Sequence, residues 1–433
     1  MHDARVLIEL GGEAVRRLAR RGYALDLDGL ESASSRRNRA IARVDELRAE
    51  SNRAAAEVGR AARAGGTSDA DLTALKDRAR ELKEEIRGAE DEVEEAGTAL
   101  RELLLTIPNL PSDDAPDGAS DADAVEVRRI GEPPAFTFTP RDHVELGEAM
   151  GVLDLGRAAK LSGARFAIAR GPGAVLERAL ATFFLTLHTG RHGYTEFSVP
   201  YLVTGPTMTG TGQLPKFADD LFRTGTDDRT LWLIPTAEVP LTALHADEIL
   251  DAGSLPLAYT AWTPCFRSEA GSYGRDTRGI LRLHQFSKVE LVRLCAAEDS
   301  PVELELMLSH AEACLQELGL AYRVVRLAAG DMGFNARLTY DIEVWLPSQG
   351  TFREISSCSD CGSFQARRSG IRSKDREGRR GQVATLNGSG LPIGRTLAAL
   401  LEQFQAEDGS VSIPEVLVPY TGFRRILPDG ATE

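Results

Sequence analysis

Residues 30 to 105 repeat small and apolar side chains at alternating intervals of three and four, the spacing of a coiled-coil seam. The first run is Leu30, Ala33, Arg37, Ala40, Val44, Leu47, Ser51, Ala54, Val58 and Ala61. The second is Leu72, Leu75, Ala79, Leu82, Ile86, Ala89, Val93, Ala96, Leu100 and Leu103. Between them Gly65-Gly66-Thr67-Ser68 supplies a helix stop, a turn and an N-cap, so the two helices must run antiparallel. A mostly small seam facing a mostly large one allows close approach and a stiff hairpin. Arms of roughly 30 to 38 residues reach about 45 to 57 Å, which predicts a projection into solvent. The first arm carries Arg36, Arg37, Arg39, Arg43, Arg48, Arg53, Arg60 and Arg63 against Asp45, Glu46, Glu50 and Glu57. Neutralisation by the acidic second arm and a grip on an anionic partner are both compatible with that composition.

A net charge of −14 argues against a protein that coats nucleic acid, so any such contact must be local. No apolar run is long enough to span a bilayer, and the first residues lack the order of a signal peptide, so a cytoplasmic protein with no membrane contact is expected. Five scattered cysteines do not read as a disulfide framework. From Pro108 to Ala124, four Pro/Gly residues and five Asp predict an exposed linker. Beyond it, β-prone runs such as Thr230–Ile234 and Val324–Leu327 mix with helical stretches such as Val302–Leu318 and Thr396–Gln405. Without a βαβ cadence, this favours an α+β domain with a largely antiparallel sheet. The expected division is a helical hairpin on 1–110, an acidic linker on 111–135 and the α+β domain on 136–433.

There is no GxxxxGK[ST] loop and no strand-linked GxGxxG fingerprint, so nucleotide binding needs another device. The informative stretch is FRSEAG from Phe266, then GRDTRG from Gly274, then LRLHQFSKVE from Leu281 to Glu290. On a strand Arg267 and Glu269 share a face, so the arginine can meet a phosphate while the glutamate accepts from an amino group. The Gly/Arg/Asp-rich middle reads as a hairpin loop. The returning run alternates, with Arg282, His284, Phe286 and Lys288 on one face.

These residues resemble motif 2 of the class II aminoacyl-tRNA synthetases, in the form carried by seryl-tRNA synthetases. LNGSGLPIGRTLAALLEQFQ at Leu386–Gln405 resembles motif 3, and GYTEFSVPYLV, with Pro200, resembles motif 1. GTGQLPKF (Gly210–Phe217), PTAEVPL (Pro235–Leu241), YDIEVWLP (Tyr340–Pro347) and FREISSCSDCGSFQARR (Phe352–Arg368) are similar to seryl-specific segments, and the hairpin to the family's tRNA-binding arm. The resemblance implies activation of L-serine by ATP with Mg²⁺, then transfer to serine tRNA and, by family analogy, to selenocysteine tRNA, by a cytoplasmic homodimer. It implies Arg267 on the α-phosphate and substrate carboxylate and Arg395 on the γ-phosphate, with Ser268, Glu269, Leu283, Phe286, Glu354, Ile355, Ser356 and Ser357 completing the ATP site. Phe286 would stack on adenine, and Glu354 and Ser357 would hold magnesium. Thr236 and Glu238 would receive the serine ammonium, with Ala237 between them in the serine site, while Glu290 and Ser389 read its hydroxyl with Asn387 beside them.

Two features invite a blander reading. Cys358-Ser359-Asp360-Cys361 has zinc spacing but no second CxxC or paired His. His284 is expected to hydrogen-bond rather than act as a base, because the serine carboxylate is already ionised. The alternatives are an amino acid carrier-protein ligase, whose relatives lack the long arm, and a non-catalytic tRNA-binding paralogue, which would be expected to lose Arg267, Glu354 or Arg395. Gly11-Gly12, Ala384 and Thr421 depart from the usual family residues, off the implied ligands, and allow a specialised second copy for antibiotic resistance or a biosynthetic pathway.

Overall fold

The structure, a computed structural model, describes residues 1–63, 68–270 and 278–433. The chain divides into two units, one of residues 2–19 and 23–108, the other of Met1, residues 20–22 and residues 109–433. In the first, helix α1 (Leu27–Arg63) and helix α2 (Asp69–Thr106) have 37 and 38 residues, at the long end of the expectation. Ser68 caps α2 by accepting from the Asp71 amide at 3.1 Å; Gly65, Gly66 and Thr67 lie outside the described residues. Leu30, Ala40, Val44 and Leu47 of α1 are buried, as are Leu82, Ala89, Ala96 and Leu100 of α2. At the base of α2 burial falls on Leu104 rather than Leu103. The helix turns every 3.6 residues, so a strict seven-residue pattern drifts round a straight helix. Leu72 and Leu75 are only half-buried, since a two-helix seam has no third side to close it.

The charge on α1 has two fates. Arg36 pairs with Glu95 at 3.7 Å, Arg43 with Glu85 at 3.8 Å and Arg48 with Glu90 at 2.7 Å. Arg39, Arg53 and Arg60 make no ion pair among the described residues, and Arg63 Nε donates to the Gly59 carbonyl of its own helix at 3.0 Å.

The second unit is built on an eight-stranded sheet: β1 (Val125–Ile130), β2 (Thr195–Glu196), β3 (Leu257–Phe266), β4 (Gln285–Ala296), β5 (Tyr322–Arg326), β6 (Leu338–Leu346), β7 (Thr351–Asp360) and β8 (Val383–Pro392). Their order is β1-β5-β6-β7-β8-β4-β3-β2, antiparallel throughout except for the parallel β2–β3 edge. The α+β class with an antiparallel sheet is therefore as expected. Helices α3 (Pro172–Gly190), α4 (Ser300–Leu318) and α5 (Ile393–Gln403) share a core with Val289 and Leu291 of β4, Cys358 of β7 and Leu386 of β8. Side chains alternate along a strand, so the intervening Lys288, Glu290, Ser357, Ser359, Asn387 and Ser389 face the other way. All six line one cavity.

Two segments differ from the sequence reading. Residues 111–135 are not a free tether: β1 pairs with β5, and Pro111, Ser112 and Ala115 are buried. The Ser112 amide donates to the Arg337 carbonyl at 2.7 Å, so the Pro/Asp-rich chain is held by backbone bonds that its composition does not reveal. The returning limb of the motif 2 hairpin enters the sheet only at Gln285, leaving Leu281 to His284 outside the ladder. Of the expected hairpin loop, Gly274 to Thr277 lie outside the described residues.

Candidate active site

The cavity under β4, β7 and β8 has a volume of about 610 Å³. On its floor Ser389 pairs directly with Glu290 across the β8–β4 ladder. Thr236 Oγ1 donates to Glu290 Oε2 at 2.6 Å, and Lys288 Nζ forms an ion pair with the same carboxylate. The short helix Glu238–Ala243 brings Glu238 in from the side. Glu238 Oε1 accepts from Gln365 Nε2 at 2.6 Å and from Asn387 Nδ2 at 3.1 Å. Burial, reinforced by the charge of Glu290, pushes the Glu238 carboxyl up to about 7.

A second cavity of about 170 Å³ adjoins the first and is lined by Phe286, Leu283, Ile355, Arg395 and the backbone turn at Pro392–Gly394. Arg267, Glu269, Arg282, Lys288, Glu354 and Ser389 line both. Arg267 lies just beyond the end of β3, with its guanidinium carbon 5.2 Å from the centre of the Phe286 ring and its Nε donating to the Pro235 carbonyl at 3.3 Å. The other cationic side chains here are matched: Arg282 with Glu269, Lys288 with Glu290, and Arg395 with Glu354 at 3.4 Å. Arg267 alone of the four has no ion pair among the described residues. Arg267 and Glu269 thus reach one cavity, though not as strand neighbours: the strand ends at Phe266, and Glu269 adopts φ +54°.

Glu354 and Ser357 are three apart, which on a regular strand sends them to opposite faces. A bulge corrects this. Ile342 pairs with Ser356 and Glu343 with Glu354, so Ile355 is the extra residue and Glu354 falls into phase with Ser357 and Ser359. Across the ladder from Ser357 lies Asp341, buried, with its Oδ1 unpaired. Burial first, and then the charge of Glu354, hold the Asp341 carboxyl well above the usual range. Two carboxylates and a hydroxyl, all hard oxygen donors with one buried oxygen unsatisfied, fit a small divalent cation that keeps most of its shell as water or phosphate.

Three of the expected ligands line neither cavity. Ala237 is fully buried at the head of the short helix, Ser268 Oγ donates to the Asp219 carbonyl at 2.6 Å, and Ser356 Oγ donates to the Ser389 carbonyl at 2.8 Å. Both hydroxyls are spent on backbone and Ala237 has no polar group, so these positions shape the site without facing it. Leu281 to His284 lie outside the ladder, yet Arg282 and Leu283 still reach the cavities. His284 Nδ1 meets the Arg267 carbonyl at 3.0 Å and must donate there, so it supports the arginine's backbone. Cys358 belongs to the core and Cys361 lines the larger cavity, so the CxxC residues face different surroundings. Sequence reasoning assigned no role to Lys288, Gln365 or Asp341. Lys288 was visible in the alternation with Phe286; nothing local marks the other two.

Two family models match the chain: the seryl-tRNA synthetase N-terminal domain over residues 1–111, and the class II tRNA synthetase core domain (G, H, P, S and T) over residues 222–404. A serine–tRNA ligase 2 of Streptomyces avermitilis is 63% identical over 433 residues, covering 100% of both chains. A serine–tRNA ligase of Nitratidesulfovibrio vulgaris is 52% identical over 423 residues, covering 98% of each. Among solved structures, seryl-tRNA synthetase from Pyrococcus horikoshii complexed with ATP superposes with a TM-score of 0.88 at 36% identity, covering 99% of this chain and 100% of that one. The cytoplasmic serine–tRNA ligase of Naegleria fowleri in complex with AMP gives 0.84 at 26% identity, with 99% of each chain covered.

Proposed function

The chain belongs to the seryl-tRNA synthetase family, class II enzymes that ligate serine to tRNA, and from that premise we propose how its two cavities divide the reaction. The larger cavity takes L-serine and the smaller takes ATP. The observation that carries this division is the guanidinium of Arg267, without an ion pair among the described residues, at their junction, where the serine carboxylate must attack the α-phosphate. Two anions approach each other there. A planar, permanently charged fork can bond both and gain strength as charge builds on the phosphoryl oxygens.

The remaining roles follow from position. Phe286, with Leu283 and Ile355, gives the adenine an apolar slot. Arg395, tethered by bonds to the Leu281 and Glu354 carbonyls at 2.9 and 2.8 Å, holds the pyrophosphate end. Glu238 receives the serine ammonium, and the Thr236–Glu290–Ser389 group reads the hydroxyl. A site built to pair a hydroxyl rejects alanine by leaving buried polar groups unpaired, a discrimination of roughly 10⁴ to 10⁵ in well-built cases. Glu354 and Ser357, backed by Asp341, would hold Mg²⁺. When bound, that ion supplies positive charge to the phosphates and leaving group. Glu354→Gln should raise the Mg²⁺ concentration that half-saturates exchange by about tenfold, with the KM for serine little changed. Equal Mg²⁺ dependence in variant and parent would remove Glu354 from the metal site.

The hairpin carries serine tRNA and, where the host has it, selenocysteine tRNA. A homodimer joined at the β2–β3 edge is supported by the exposed apolar side chain of Trp262 on β3. Service as a second, specialised copy is supported by the closer likeness to a ligase numbered 2, at 63% against 52%. The deciding experiment for the activity is serine-dependent ATP–pyrophosphate exchange followed by charging of serine tRNA. No exchange with serine refutes the reading, and exchange without charging assigns the chain to carrier-protein ligases. Equal sensitivity of this enzyme and the host's other synthetase to a seryl-adenylate mimic would remove the resistance role.

A further inference from the structure

Gln365 sits on the short helix Phe364–Arg368 and is fully buried. Its amide has a fixed sense. The Thr211 carbonyl lies 3.3 Å from Nε2 and can only accept, so that end must be the amino group. The opposite end, Oε1, then accepts from Thr385 Oγ1 at 2.7 Å. With the amide pinned at both ends, Nε2 donates its other proton to Glu238 Oε1 at 2.6 Å. Asn387 adds a second N–H to the same oxygen at 3.1 Å. Glu238 Oε1 is thereby saturated with donors, while Oε2 has no hydrogen-bond partner among the described residues and belongs to a side chain that lines the cavity.

We propose that Gln365, oriented by Thr385, is a positioning residue that keeps Glu238 a hydrogen-bond-accepting carboxylate and leaves its second oxygen for the substrate ammonium. This rests on the reading of Glu238 as the ammonium acceptor. A flipped amide would present an oxygen to Glu238 and demand a protonated carboxyl, which offers an ammonium ion only a neutral acceptor in place of a charge. The Thr211 carbonyl, which can only accept, opposes that flip, and the Thr385 hydroxyl would have to give up its bond to Oε1 and turn to accept.

The charges around Glu238 explain why a neutral donor matters. Burial opposes its ionisation most, and then Glu290 on β4; Lys288 on β4 and Arg267 beyond β3 favour it, and the Cys361 thiol beyond β7 faces it uncharged, its own ionisation suppressed by burial. Lys288 is already committed to Glu290, and Arg267 is needed by the reacting anions. Among the groups that lower the Glu238 carboxyl, the Gln365 hydrogen bond is the largest. With that carboxyl near 7, a small loss of donors moves its titration across the working pH.

The test is the pH dependence of the KM for serine in ATP–pyrophosphate exchange, from about pH 6 to about pH 9, for Gln365→Met, Thr385→Val, Thr385→Ser and Glu238→Gln. In the parent, KM should rise as pH falls below about 7. Gln365→Met should move that inflection up by about one unit, so that KM rises about fivefold at neutral pH, about tenfold near pH 6, and the gap closes at the alkaline end. The kcat at saturating serine and the KM for ATP should stay within about twofold. Thr385→Val should shift the inflection in the same direction by less, and Thr385→Ser, which keeps the hydroxyl, should restore it. A KM raised equally at every pH, with the inflection unmoved in both Gln365→Met and Thr385→Val, would reduce Gln365 to packing and overturn the proposal. Glu238→Gln separates the two readings. If it leaves the serine KM unchanged, the ammonium assignment itself fails; if it raises KM while the other variants leave the inflection in place, only the present inference fails.

Discussion

Replacing Arg267 by alanine should lower kcat for serine-dependent ATP–pyrophosphate exchange by about 10³, with a melting temperature within a few degrees of the parent. Removing one donor that stabilises a developing oxyanion costs about 10² to 10³, and a guanidinium that also aligns two anions falls at the upper end. The folded state loses little, because among the described residues the side chain holds no carboxylate and makes a 3.3 Å bond to the Pro235 carbonyl and a stacking contact with Phe286. Arg267→Lys is the sharper variant. It keeps the charge but loses the fork, and should still fall by about 10². A lysine enzyme within about threefold of the parent would mean that charge alone suffices at the junction. Arg282→Lys is the contrast, since Glu269 already neutralises that arginine, and a smaller loss is expected.

How far the sequence discloses this site depends on the range of the interactions that make it. The hairpin was legible because its seam is written within each helix, and its length followed from counting residues. The motif 2 residues were legible by resemblance, and Arg267, Phe286, Glu290, Asn387 and Ser389 do converge on the two cavities. What could not be read is the phase of one strand against another. Glu354 and Ser357 share a face only because Ile355 bulges against β6, a property of the pair of strands rather than of either. The same holds for β1, whose pairing with β5 anchors the C-terminal end of the Pro/Asp-rich stretch to the sheet. Gln365 is the extreme case: it meets Glu238 across 127 residues of chain, and no periodicity links them. Local chemistry and resemblance identified groups that line the two cavities, whereas those that orient them came from tertiary contacts.

The arm provides the second large effect, and here the structure refines the composition. The chain's net charge of −14 opposes phosphate, so tRNA must be gripped by cations that the protein has not already neutralised. On α1 the cations without an ion pair among the described residues include Arg39 and, toward the C-terminal end, Arg53 and Arg60, while Arg63 donates to a carbonyl of its own helix. Reversing Arg53, Arg60 and Arg63 to glutamate should lower kcat/KM for tRNA charging by about 10³, taking roughly 1.4 kcal/mol for each charge-assisted phosphate bond removed. ATP–pyrophosphate exchange, which needs no tRNA, should stay within about twofold. The dependence of charging on salt should flatten by about three counterions, the signature of three phosphates no longer neutralised by the arm. Arg48→Glu serves as the internal control, because Glu90 already holds that guanidinium at 2.7 Å. It should cost charging at most about tenfold, with a small loss of hairpin stability in place of tRNA affinity. Equal losses from Arg48→Glu and from the triple reversal would mean that tRNA reads the whole arm rather than its unpaired end, and a parallel fall in exchange would end the division of labour between arm and catalytic cavities.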